Sequence, residues 1–502
     1  MRLHMKNKIR RPNVTRQRKQ FFISLTVVFV VFLVLIYFGV SRYYHNHFYS
    51  QTFINGIDCS NLTVEEAREA ITYEVHTYVL ELHGRNDITE QISAADIGLD
   101  VNFDVDLEEL MKGQSPYKWI VHSWTDNKLE NPVELTYDEE KLDQAIKRLE
   151  FLDESKVIKP VNAYISEYRE TGFEVVKEEL GTQVLRDKLI DEIKKAIISL
   201  DKSLDLEEKE CYVNPTIYSD NEQLKAAVEQ ANFYASTKLT YEFGDVTEIL
   251  DGSVIGPALS ITEDYQVTID EAKIREFVDY IGKYYNSFGR KRTFQTSYGK
   301  TVTVSGGDYG WWLNRDKEQE EIIEAIKNGE QKVKEPVYFQ KAAQYGDDDI
   351  GNTYVEINLS AQHLFFYKDG KLVVESDFVS GKVSTGHATP VGTYSITYKK
   401  TDATLEGEDY STPVKYWMPF NRHIGMHDAS WRSKFGGDIF INKGSHGCIN
   451  LPESVAKTIF ATISKGDPVI CYELEGTEGY SQADYDKAVQ KAQKAEAAQT
   501  NN

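Results

Sequence analysis

The chain has 502 residues, 41% hydrophobic and 12% aromatic, too many for one core and too apolar for a disordered chain. Its formal net charge of −22 is uneven: residues 1–44 carry nine Lys/Arg and no Asp/Glu, leaving 48 basic against 79 acidic side chains in the remainder. So acidic a body excludes nucleic acid as a partner, because a phosphate backbone needs a basic face. In chain order, the first element is Phe21–Val40 (FFISLTVVFVVFLVLIYFGV), an uncharged run interrupted only by Ser24 and Thr26. As a helix it spans about 30 Å, the thickness of a bilayer core. Arg2, Lys6, Lys8, Arg10, Arg11, Arg16, Arg18 and Lys19 precede it. The positive-inside bias therefore predicts a cytoplasmic basic tail (1–20) and a transmembrane anchor (21–41). A cleaved signal peptide would have a shorter apolar core and a small-residue site, whereas SRYYHNHF follows here. The expectation is a single-pass cell-membrane protein with everything beyond the helix outside the cytoplasm.

Residues 42–218 and 219–347 read as two related α+β modules. In NLTVEEAREAI, Thr63 and Glu66 have capping-box spacing before an apolar stripe. LGTQVLRDKLIDEIKKAI places Leu185, Leu189, Ile193 and Ile197 at four-residue steps. YGWWLNRDKEQEEIIEAIKNG repeats that layout with Ile322, Ile323 and Ile326, and Gly329 is placed to end the helix. Both segments run strand, Gly, Arg-Asp-Lys, helix, and Ala94–Gly113 is a looser third instance. Ser297–Lys300 (SYGK) matches an S-x-x-K pattern, but no S-D-N or K-T-G follows, so it is set aside. The polar stretch Lys341–Thr353 predicts a linker. From 352 to 474 the pattern becomes short strands with turns at Ser360–Gln362 and Asp369–Gly370, predicting a mainly β, sandwich-like domain whose best helix candidate is Val455–Ser464. Residues 475–502, rich in Ala, Gln and Lys, predict a frayed helix or flexible tail.

Chemistry concentrates at KGSHGCINLP (Lys443–Pro452). Of the four cysteines, Cys471 lies in an apolar strand pattern, and a disulfide between Cys59 and Cys211 stays open. Zinc is not expected, since there is no C-x-x-C and no H-E-x-x-H. A nucleophilic Cys448 needs a base within about 3 Å of its sulfur and donors facing the oxygen that becomes negative. His387, His423, His427 and His446 are all candidates for the base, and local sequence leaves that choice open. Gly447 suits a tight turn in which the amides of Gly447 and Cys448 face the oxyanion.

His427, seventeen intervening residues, then Ser445-His446-Gly447-Cys448-Ile449-Asn450 resembles the signature of the L,D-transpeptidases of bacterial cell walls. VEINLSAQHLFFYKDG, the T-P-x-G turn in HATPVGTY, and VKYWMPFNRHIGMHDA extend the resemblance, and the upstream modules are similar to peptidoglycan-binding repeats. The resemblance implies Cys448 as nucleophile, His427 as general base and Ser445 as the group orienting it. His446 and Gly447 would line the oxyanion side, with Asn450 a supporting polar position. It further implies acyl transfer without metal or cofactor. The donor is a tetrapeptide stem whose D-alanine leaves, and the acceptor is a side-chain amine, giving crosslinks between third residues. Carbapenems are expected to bind covalently. Tyr416 and Trp417 are candidates for a pocket wall, with core packing the competing reading, and Thr401–Val414 for a covering loop. Two alternatives remain: a carboxypeptidase or hydrolase in which water resolves the thioester, and a non-catalytic wall-binding scaffold.

Overall fold

A computed structural model describes residues 14–103, 107–129, 133–407 and 410–500. Of the expected basic tail, residues 1–13 lie outside the described residues. The chain forms two compact units, Met1–Tyr164 with Val176–Ser219, and Ile165–Val175 with Asp220–Asn502.

In the first unit, helix α1 (Val14–Tyr43) contains a segment, Arg18–Tyr43, long and apolar enough to cross a membrane, with an 18-residue window of mean hydropathy 2.9 in which no residue is buried. Helix α2 (Val64–His76) begins as expected: Thr63 Oγ1 accepts from the Glu66 amide, and the Glu66 carboxylate accepts from the Thr63 amide. A hairpin of β1 (Val79–His83) and β2 (Thr89–Ser93) is extended by β3 (Ser203–Asp205), which runs parallel to β1. Helix α3 (Arg186–Ser199) buries Leu189, Ile193 and Ile197 against this sheet. Leu185, expected on the same stripe, is instead the residue before the helix and is exposed, because its amide is held by the Cys211 carbonyl at 2.7 Å. Cys59 and Cys211 are free thiols buried in this core.

The second unit repeats that topology. Its hairpin, β4 (Lys238–Phe243) with β5 (Val246–Leu250), is closed by β6 (Gln331–Val333) parallel to β4. Helices α4 (Glu222–Ala235), α5 (Glu271–Tyr285) and α6 (Arg315–Lys327) pack on it. Ile322 and Ile326 are buried, and Gly329 follows the helix end at φ +60°, as its placement predicted. The expected division at 218/219 differs in one respect: Ile165–Val175 belongs to the second unit. Phe173 explains it, exchanging two hydrogen bonds with the Asn232 side chain at 2.8 and 2.9 Å.

The C-terminal region is mainly β, as expected, with two sheets sharing one core. The first has the order β9 (Lys371–Asp377), β8 (His363–Lys368), β7 (Tyr354–Asn358), β15 (Pro468–Tyr472), β10 (Gly392–Ser395). The second runs β11 (Lys400–Gly407), β12 (Tyr410–Asn421), β13 (Ile424–Asp428), β14 (Ile449–Leu451). Val355, Ile357 and Phe366 from one sheet meet Met418, Met426 and Ile449 from the other, with Ile459 of α7 (Glu453–Thr462) alongside. Asp369 and Gly370 both take positive φ at the β8–β9 turn, which fits the twist of a two-residue hairpin.

Two expectations need correcting. The presumed linker 341–353 is built into the fold: Asp349 is 2% exposed and pairs with Arg292, itself 4% exposed, at 2.7 Å. Module and β region are further stitched together where Tyr309 N donates to Thr393 O and Thr393 N donates to Gly306 O. The tail is no loose end either. Helix α8 (Gln482–Thr500) docks Tyr485, Ala488 and Val489 against Val383, Phe440 and Ile441.

The guanidinium of Arg292 also donates to the carbonyls of Ser287, Arg290 and Tyr309. Arg292→Ala would leave the Asp349 carboxylate buried without its countercharge. We expect a loss of about 3–5 kcal/mol in the urea unfolding of the second unit, and a smaller loss for the paired Arg292→Met, Asp349→Leu variant.

Candidate active site

Strand register assembles the site. Trp417 on β12 pairs with His427 on β13, and His427 pairs with Asn450 on β14. Paired residues on adjacent strands face the same side, so Trp417, His427 and Asn450 share one face. Cys448, two residues before Asn450, returns to that face at the mouth of β14. The thiol packs against Ala403 and Val414 from the β11–β12 hairpin, with Leu405 beside them and Trp417 beneath. The predicted covering loop is therefore a paired β-ribbon; its tip, 408–409, lies outside the described residues.

His427 is 3% exposed and lies between two indoles, with ring centroids 5.9 Å from both Trp417 and Trp431. Its Nδ1 lies 2.8 Å from the Asp428 carbonyl. A carbonyl only accepts, so Nδ1 carries the proton and Nε2 presents its lone pair. Burial depresses the pKa of His427, aided by the nearby Arg432 charge and opposed by the Asp428 carbonyl and carboxylate. Burial also pushes the Cys448 thiol up to about 11, partly offset by a hydrogen bond from the Gly425 backbone. Burial thus favours the neutral pair, thiol and imidazole, over thiolate and imidazolium. His423 meets the sulfur only through its carbonyl, which the thiol reaches at 3.6 Å.

Ser445 does something other than expected. Its hydroxyl donates to Cys448 O at 2.6 Å and accepts from Gly447 N at 3.0 Å, closing the S-H-G-C turn on itself. The group orienting His427 is the Asp428 carbonyl instead, and the Gly447 amide is engaged within the turn rather than facing an oxyanion. Gly447 has φ +114°, and a Cβ there would stand 2.9 Å from Ile424 Cδ1, so only glycine fits. Thr389, from the T-P-x-G turn, donates to Gly447 O at 2.7 Å and accepts from Gly381 N at 3.0 Å. His446 is engaged by other rings: it lies 4.7 Å from His387 and stacks at 4.7 Å on Tyr410 of the hairpin.

Cys448, His427, Ser445, His446 and Asn450 line one cavity of about 420 Å³ with Tyr410, Pro413, Trp431 and Arg432. The buried Asn450 Oδ1 has no hydrogen-bond partner among the described residues. Of the two aromatic wall candidates, Trp417 sits under the thiol, but Tyr416 alternates to the other face and packs on Phe460 at 5.4 Å. Sequence reasoning missed Thr389 as a clamp, the second indole at Trp431, and Arg432. The signal for Trp431 was its position four residues after His427 in a stretch read only for its histidines.

Residues 352–471 match the family model described as the L,D-transpeptidase catalytic domain (YkuD), and 90–205 and 215–334 match a family described as a peptidoglycan binding domain. The crystal structure of an Enterococcus faecium L,D-transpeptidase, a cysteine-to-serine mutant, is 36% identical, covering 50% of this chain and 100% of that one, with a TM-score of 0.41. The NMR structure of the catalytic domain of E. faecium L,D-transpeptidase is 45% identical over 24% of this chain and 97% of that one, TM-score 0.23. A form of that domain acylated by ertapenem is also 45% identical, covering 24% of this chain and 98% of that one, TM-score 0.23. No curated protein matches the chain.

A neutral resting thiol makes a directional prediction. Because the folded-state pKa is raised, thiolate is scarce at neutrality and alkylation of Cys448 by iodoacetamide should climb roughly tenfold per pH unit from 7 towards 10. A plateau beginning near pH 7 would reveal a preformed thiolate. Thr389→Val, which frees the Gly447 carbonyl, should slow acylation by about five- to tenfold in stopped-flow measurements while the fold persists.

Proposed function

The chain belongs to the L,D-transpeptidase family and cross-links peptidoglycan as a cysteine acyltransferase, and from that premise we propose how its own residues carry the reaction. The observation that carries this reading is the placement of Cys448 and His427 on one face of neighbouring parallel strands, lining one cavity. Cys448 Sγ attacks the carbonyl carbon of the third residue of a donor tetrapeptide stem while its proton passes to His427 Nε2. The carbon–nitrogen bond to D-alanine breaks, and the leaving amine takes the proton from His427. A thioester remains on Cys448. The side-chain amine of a third residue in a neighbouring stem attacks it and gives its proton to His427. The carbon–sulfur bond then breaks, and the proton returns to sulfur.

A neutral pair suits this cycle. Separated charges would be costly against Trp417, Ala403 and Val414, so proton transfer accompanies attack instead of preceding it. Ser445, Thr389 and Gly447 act by holding the turn that aims the sulfur, with the Cys448 amide as oxyanion donor and His446 flanking it. Asn450 offers its unpartnered carbonyl to an N–H of the stem. The β11–β12 ribbon limits water at the thioester, which favours transfer to an amine over hydrolysis. The two upstream modules engage or span the wall. Helix α1 is an uncleaved anchor, its basic end cytoplasmic and the catalytic domain facing the wall.

Intact-mass measurement with a carbapenem should give a single covalent adduct on the wild type and none on Cys448→Ala. His427→Ala should slow acylation roughly 10²–10⁴-fold. Product analysis with a tetrapeptide donor, with and without an amine acceptor, separates the two ways of resolving the thioester: a dimer crosslinked through third residues marks transfer, and tripeptide alone marks a carboxypeptidase.

A further inference from the structure

The segment Tyr117–Trp124 (YKWIVHSW) presents an apolar stripe that no buried core accounts for. The backbone is helical from Pro116 to His122, as one 3₁₀ turn continued by one α turn. Tyr117, Ile120, Val121 and Trp124 stand at i, i+3, i+4 and i+7 and are 59%, 47%, 65% and 85% exposed. The opposite side of the segment is occupied. Trp119 lies 6.3 Å from the rings of both Tyr37 and Tyr44, and His122 stacks on Tyr49 at 4.6 Å.

Those contacts fix where the stripe sits along α1. Tyr37 Oη donates to Tyr117 O at 2.8 Å. Tyr37 is three residues from the end of the apolar run at Val40, a rise of only about 4.5 Å. The segment is therefore held level with the last turn of the membrane-crossing stretch, not above it. Tyrosine and tryptophan favour the zone between hydrocarbon and headgroups, where a ring can be apolar at one end and wet at the other. Lys118, exposed on the same segment, is placed to meet anionic headgroups.

We propose that Tyr117, Ile120, Val121 and Trp124 form a membrane-interface face that seats the first unit on the outer leaflet beside its own anchor. The occupant is lipid, because the segment is fastened to the last turn of the apolar run and shares its depth. This rests on reading α1 as a bilayer anchor. Water would leave four large apolar side chains exposed in a row; acyl chains and headgroups remove that cost.

The six tryptophans make the test direct, since none lies within Phe21–Val40. The full-length chain is placed in nanodiscs of phosphatidylcholine and phosphatidylglycerol with acyl chains brominated near the headgroup. Wild-type tryptophan emission should be quenched relative to unbrominated discs, and Trp124→Phe should remove most of the quenched component. Val121→Lys should shift the Trp124 component to the red and weaken its quenching. Trp124 is 85% exposed, so its replacement leaves the fold and carbapenem acylation intact. Equal quenching in wild type and Trp124→Phe, with the chain retained in the discs, would overturn the interface face while sparing the anchor. Release of the chain by alkaline carbonate would overturn the anchor reading, and the proposal with it.

Discussion

The parallel pairing of β13 with β14 is the constraint on which the site depends. It is a short ladder, from Met426 opposite Ile449 to Asp428 opposite Leu451. Yet it converts a separation of 21 positions into adjacency, because Cys448 and His427 have no local reason to meet. A slip of one residue would turn either side chain to the opposite face, where Met426 and Ile449 already fill the core between the sheets. Two sets of bonds resist such a slip. Val379 and Asn450 exchange backbone hydrogen bonds at 3.0 and 2.9 Å, and Thr389 holds the Gly447 carbonyl. The T-P-x-G turn and the S-H-G-C turn, far apart in sequence, are two halves of one fastening.

Burial is the second organising influence. It favours the uncharged form of both side chains, lowering the pKa of His427 and raising that of Cys448. The same indole and aliphatic wall that imposes this cost also excludes water, so the site exchanges intrinsic nucleophilicity for control over what reaches the sulfur. Orientation of the His427 imidazole by a main-chain carbonyl is consistent with that economy. The Asp428 carbonyl fixes the tautomer without bringing a second ionised group against the ring, while the Asp428 carboxylate is occupied by the amides of Lys415 and Tyr416 at 2.8 Å each.

Much of this was legible in the sequence where chemistry is local. The capping box at Thr63, the Asp369–Gly370 turn and the apolar periods of α3 and α6 follow from spacing alone. Cys448, its spaced histidine and the S-H-G-C turn stood out through a family resemblance, and the fold brings the two side chains to one cavity. What was not legible depends on contacts between distant segments. A serine near a histidine in a motif does not disclose that its hydroxyl closes its own turn. Nor does a polar stretch disclose that Asp349 will find Arg292 in a buried pocket. Tyr416 and Trp417 show the limit most plainly: adjacent residues of one kind, separated to opposite faces by the pleat.

The raised thiol has a consequence for endurance. Thiolates attack peroxides and disulfides far faster than thiols do, so an ionised cysteine is the one that becomes oxidised. Cys448, 8% exposed and biased by burial towards the protonated thiol, is shielded from both. The remaining three cysteines are buried free thiols, so none is exposed as a surface partner for disulfide exchange. The covered thiol thus works as a form of chemical storage, holding the reactivity of the sulfur in reserve.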